Sequence, residues 1–167
     1  MKLFRKHCLC CIGWLFISEL LCLVLAFSFA ILRPQWIRWL SLICGAAAHI
    51  ALMGNCAQKV AAEDAAVFRQ TQLRIPPYKP LLLAFLTALP LWILYGILWL
   101  HADSTAMLNV FLLLNAPFIQ IHRLLLDGAE PFSAVPPLRQ ICMGLLPLIT
   151  AAAWYIGYLT ARRKSRI

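Results

Sequence analysis

The sequence predicts an all-α protein, a polytopic transmembrane helical bundle with its N-terminus in the cytoplasm, and three observations lead there. Of its 167 residues, 63% belong to the AVILMFWYC set, against roughly 45 to 50% for a soluble domain even with glycine counted in. Only 13% are charged and the mean hydropathy is +0.82, so a soluble fold of this size has too little interior to hide the apolar residues. These residues also fall in runs of about 20, the length a helix rising about 1.5 Å per residue needs to cross a hydrocarbon core about 30 Å thick. No linker or internal repeat divides the chain, which reads as a single integral membrane domain over 1–167.

Five segments meet or approach that length. The first, Cys8 to Leu32, is the longest and holds one charge, Glu19. Its basic leader and the small-residue stretch Ser28-Phe29-Ala30 resemble a signal peptide, but a secretory apolar region is typically ~7 to 15 residues, so this is an uncleaved span. The second, Trp39 to Asn55, is the shortest and has His49 as its one titratable group; the third, Leu81 to Leu100, and the fifth, Gln140 to Ala161, are free of charge. The fourth, Ser104 to Ile121, is uncharged throughout but carries Asn109, Asn115, Pro117 and Gln120. By hydrophobic length it spans; by its polar content it could enter and turn back. The expectation is four spans plus this fifth one, over 104–121.

Cytoplasmic loops are enriched in Lys and Arg. With five spans and the N-terminus inside, nine basic residues lie inside and six outside; if 104–121 does not cross, the tail Arg162, Arg163, Lys164 and Arg166 moves inside and the division becomes eleven against four. The N-terminus is cytoplasmic either way, and charge and length disagree only on the fourth segment.

The one sizeable loop, 56–79, reads as a cytoplasmic amphipathic helix and loop. Ala57, Val60, Ala61, Ala65 and Phe68 recur at helical spacing, Lys59 and Glu63 form an i,i+4 pair, and Pro76-Pro77 stops the helix. Trp36, Trp39, Trp99 and the group Trp154, Tyr155 and Tyr158 sit near segment ends, as an interfacial belt requires. The net charge of +9 flanks apolar spans, where topology and anionic headgroups account for it, so the lipid bilayer is the expected partner and nucleic acid is not. The seven cysteines offer neither a second Cys/His pair for a metal nor an extracellular disulfide framework, and they read as free. Cys8, Cys10 and Cys11 lie where S-palmitoylation occurs in eukaryotic cells.

Enzyme signatures are nearly missing: there is no HExxH, glycine-rich phosphate loop or GxSxG elbow. The stretch His122 to Asp127 has the H-x4-D spacing found in glycerolipid acyltransferases. No downstream phosphate-binding motif follows, and the chain has no room for that fold. Asp127-Gly128-Ala129 begins like a CDP-alcohol transferase signature without its later aspartates. The expectation is a protein that is not an enzyme and uses no cofactor or metal.

Depth is the most informative pattern. Glu19 lies about 16 Å from one edge, and His49 about 15 Å from the other, at about 1.5 Å per residue. Asn115 and Thr150 fall at similar depths, so the four form a candidate intramembrane polar site, with Glu19 and His49 expected to meet. An ionised carboxylate at that level costs at least ~2.5 to 3.5 kcal/mol. Pro90, Pro117 and Pro147 lie within the third, fourth and fifth segments, each inviting a kink. The small-residue ridges Ser41, Gly45, His49 and Ala153, Gly157, Ala161 are expected packing surfaces. Two functions follow for a multi-pass protein of the plasma or inner membrane. It is either a non-enzymatic accessory or regulatory subunit acting through a membrane protein partner or as a homo-oligomer, or a small transporter or channel built on Glu19 and His49.

Overall fold

The computed structural model describes residues 2–31, 35–72 and 76–164, and shows helices and turns but no strand among them. Arg74, Arg166 and the connection over 32–34 lie outside the described residues. In chain order come α1 (Lys2–Ala30), α2 (Gln35–Thr71), α3 (Lys79–Leu100), α4 (Thr105–Leu113), a 3-10 turn (Ala116–Phe118), α5 (Ile119–Leu126), a second 3-10 turn (Phe132–Ala134), α6 (Pro137–Leu145) and α7 (Pro147–Lys164). Among the described residues four stretches are long and apolar enough to cross a membrane, α1, α2, α3 and the pair α6–α7, and the bent pair Thr105–Leu113 and Ala116–Leu126 would be a fifth if taken as one span.

Local chemistry explains the boundaries. The second segment runs on as one helix of 37 residues, about 55 Å at about 1.5 Å per residue, and the helix foreseen over 57–68 is its continuation. It ends where Gln72 turns into left-handed backbone at φ 56° and donates its N–H to the Phe68 carbonyl. Proline at the second position of α3 needs no intrahelical partner, and Pro90 leaves that helix unbroken. Pro147 instead begins α7, parting it from α6 at Leu146. Ser104 caps α4 by accepting the Met107 N–H at 3.2 Å.

The fourth segment is not one continuous helix. It breaks after Leu113, and the two halves are bent by 97°. Asn115 turns its amide onto the Phe111 carbonyl at 3.0 Å, and Pro117, lacking an N–H, cannot carry the helical ladder through the break. Both ends of this bent pair lie together, since the Ser133 N–H donates to the Ala102 carbonyl at 3.0 Å. The four long elements therefore run antiparallel, with the pair α4–α5 entering the bundle and returning at one end. At the opposite end Asp64 of α2 meets the starts of α1 and α3 and the end of α7 through His7, Lys79 and Tyr158. The first and last helices thus place their outer ends on the same side, the arrangement that the charge distribution favours and hydrophobic length alone does not.

The core is carried by α2 against α7. A Cβ at Gly157 would lie 2.7 Å from the Gly54 Cα, so the second small-residue ridge lets the α2 and α7 backbones approach closely, as the i+4 spacing predicts. Trp36, Trp39 and Trp99 are exposed near helix ends as a belt requires, but Trp154 and Tyr158 are buried and stacked on each other at 5.7 Å. Their depth in the bundle makes them core residues. The expected Lys59–Glu63 pair is also replaced: Glu63 takes Lys6 at 2.8 Å, and Lys59 lies over the Trp14 ring at 4.6 Å. The cysteines are free, Cys11 and Cys56 approaching to 3.9 Å between α1 and α2.

Candidate functional site

Successive residues of α1 reach two different elements. Ser18 hydrogen-bonds Nδ1 of His49 at 2.7 Å, and the other ring nitrogen, Nε2, meets the Thr150 hydroxyl at 2.8 Å. One nitrogen of a neutral imidazole donates and the other accepts, and two hydroxyls satisfy both. Ser18, His49 and Thr150 are wholly shielded, so this chain of hydrogen bonds ties α1, α2 and α7 together at mid-height. Thr150 follows one turn after α6 gives way to α7, which sets its hydroxyl toward α2.

Glu19 turns the other way. Its Oε2 accepts the backbone N–H of Ala116 at 3.1 Å, in the break between α4 and α5, while Oε1 is buried without a partner among the described residues. The break exposes this donor because it belongs to the first residue of a new helical turn, which has no carbonyl behind it. Phe118, two residues on, sets its ring edge-on to His49 at 5.4 Å. The break packs against α2 at Gly45, where an added Cβ would make only an ordinary contact with the Pro117 carbonyl at 3.8 Å. Cys22 donates to the Gly45 carbonyl at 3.3 Å and closes the floor.

The structure thus brings Glu19, His49, Thr150 and the Asn115 break into one region, but Glu19 and His49 do not bond each other as expected. Asn115 serves the end of α4 and does not join the other three side chains. Of the three prolines, Pro117 borders the region, Pro147 starts the helix that carries Thr150, and Pro90 takes no part.

Two further polar groupings were not foreseen. At the end shared by both chain ends, Asp64 accepts from Lys79 at 2.5 Å and from Tyr158 at 2.8 Å, and faces His7 at 3.8 Å. His7 also contacts Glu63 at 3.2 Å. These partners are separated by up to 94 positions, and no spacing rule joins them. The second is His122 of α5, buried edge-on to Phe111 at 4.9 Å with neither ring nitrogen partnered among the described residues. Asp127 instead pairs with Arg139 at 3.0 Å, so the H-x4-D spacing does not assemble a His–carboxylate pair.

Chemically, His49 is a fully engaged crosslink, whereas Glu19 is an ionisable group holding a helix break. A charge-assisted hydrogen bond is roughly twice as strong as a neutral one, so an ionised Glu19 would hold the Ala116 N–H more tightly than a protonated one. No cluster of three or more His, Cys, Asp or Glu side chains suited to a metal occurs among the described residues. No protein-family model, curated protein or solved structure matches the chain, and what the region can do follows from its geometry.

Proposed function

We propose that the protein is a small multi-pass transporter or channel of the plasma or inner membrane, in which Glu19 latches the bent pair α4–α5 inside the bundle. It crosses the membrane four times with both chain ends in the cytoplasm, so that 56–79 is a cytoplasmic helix and loop and the basic residues divide eleven inside to four outside. The observation that carries this reading is the Glu19 carboxylate on the Ala116 N–H at 3.1 Å. An intramembrane ionisable group marks a proton or substrate path by default, and broken helices near mid-membrane expose backbone groups for such work. The ion that an isolated carboxylate can accept without further ligands is the proton, and its arrival loosens the latch.

A second reading keeps the chain as an accessory or regulatory subunit that acts through a partner membrane protein or a second copy of itself. It is favoured by the closed polar core, in which both His49 nitrogens are spent on crosslinking helices. Neither reading requires an enzyme activity or a cofactor. The test is the purified protein in vesicles loaded with a pH-sensitive dye and given a pH step, alongside purification in mild detergent. Proton equilibration faster than in protein-free vesicles supports the first reading. Protein-free rates together with a stoichiometric partner protein in the preparation support the second.

A further inference from the structure

Beyond the Gly54–Gly157 crossing, α2 and α7 continue toward the end of the bundle where α1 begins. They leave a cleft of about 340 Å³ lined by Gln58 and Ala62 of α2 and by Thr160, Ala161 and Lys164 of α7. Small-molecule sites begin at roughly this volume, about 300 Å³. Ala62 and Ala161 give the cleft an apolar wall with no side chain to fill it, and Gln58 and Lys164 stand exposed along it. The Thr160 hydroxyl spends its proton on the Ile156 carbonyl at 2.8 Å. Lys164 has no anionic partner among the described residues, and Arg163 beside it adds to the positive field in the last turn of α7.

We infer that this cleft binds the headgroup of one anionic phospholipid, its phosphate on Lys164 with the Gln58 amide as second donor, and its glycerol backbone against Ala62 and Ala161. A lipid fits better than a free phosphate because the cleft is apolar for most of its wall and lies between two helices of membrane-crossing length. It also sits at the last turn of α7, which carries Arg162, Arg163 and Lys164. A cation at the membrane surface contributes about 1 kcal/mol of attraction to anionic lipid. This site does not depend on whether the protein transports anything.

The test is native mass spectrometry of the full-length protein released from mild detergent with phosphatidylglycerol, phosphatidylcholine or soluble glycerol 3-phosphate. One phosphatidylglycerol should be retained in preference to phosphatidylcholine, and glycerol 3-phosphate should not displace it. Lys164→Gln should weaken retention about fivefold, and Ala62→Phe, which fills the cleft, by a similar factor. Arg38→Gln, at the other end of the bundle, should leave it unchanged. Lys164 and Ala62 are exposed, so unchanged melting of both variants without lipid shows that they fold. Equal retention of the two phospholipids, wild-type retention in both cleft variants, or displacement by glycerol 3-phosphate overturns the proposal.

Discussion

Gly157→Ala tests the packing on which the bundle rests. The added Cβ would lie 2.7 Å from the Gly54 Cα and 2.8 Å from its carbonyl oxygen, against an ordinary contact of at least 3.4 Å. Both obstacles are backbone, so no rotamer change relieves them and α2 and α7 must move apart by the difference. A gap of about 0.5 to 1 Å forfeits a quarter to a half of the dispersion attraction across it, and overpacking of this kind costs about 1 to 3 kcal/mol. Replacing glycine inside a helix returns up to about 1 kcal/mol. The net expectation is a loss of about 1 to 2 kcal/mol. Gly13→Ala and Gly54→Ala, whose Cβ atoms meet nothing within 4 Å, should be neutral or slightly stabilising. Unfolding of the four proteins by denaturing detergent in mixed micelles measures the difference. A Gly157→Ala protein as stable as the wild type would refute the close crossing.

Asp64→Asn should destabilise by about 3 to 5 kcal/mol in the same assay, because it leaves the largely buried Lys79 ammonium without its counter-ion. Tyr158→Phe, which removes one bond to a charged group, should cost only about 1.5 to 3 kcal/mol. In double-mutant cycles, His49→Leu and Thr150→Val should couple by about 0.6 kcal/mol. Glu19→Leu and His49→Leu should be nearly additive, since the two side chains have separate partners; strong coupling between them would contradict this geometry. In intact cells and a cysteine-free background, an impermeant thiol reagent should label Asp103→Cys and spare Lys164→Cys. Labelling of Lys164→Cys from outside would refute a cytoplasmic C-terminus.

Much of this was legible in the residues because bilayer thickness imposes helix length. The four long helices follow from uncharged runs, and the depth of Glu19, His49 and Thr150 follows from counting residues along each helix at its fixed rise. The fourth segment was ambiguous because hydropathy reports where a helix can lie but not whether it passes through. Its polar content marked the break: Asn115 and Pro117 sit at the bend itself. Partner choice was less visible. Depth alone puts Glu19 and His49 at one level, but helix rotation sends Glu19 to Ala116 and His49 to Thr150. The Asp64 grouping was hidden because His7, Lys79 and Tyr158 come from three other helices, and each has a bland local reading as a flanking charge or a belt aromatic. Tyr158 shows the difficulty well. A tyrosine near a helix end suits an interface equally with a buried bond to a carboxylate, and only the packing of α7 on α2 decides between them.

The central claim is that Glu19 is the titrating group on which transport depends. Its most direct test is proton equilibration in dye-loaded vesicles containing either the wild-type protein or Glu19→Gln, which keeps the side chain's size and an acceptor for the Ala116 N–H but cannot take up a proton. The expected result is a flux above protein-free vesicles for the wild type and its loss in Glu19→Gln, with thermal stability in detergent unchanged within about 1 kcal/mol. Equal flux in the two proteins, or none in either, would contradict the assignment.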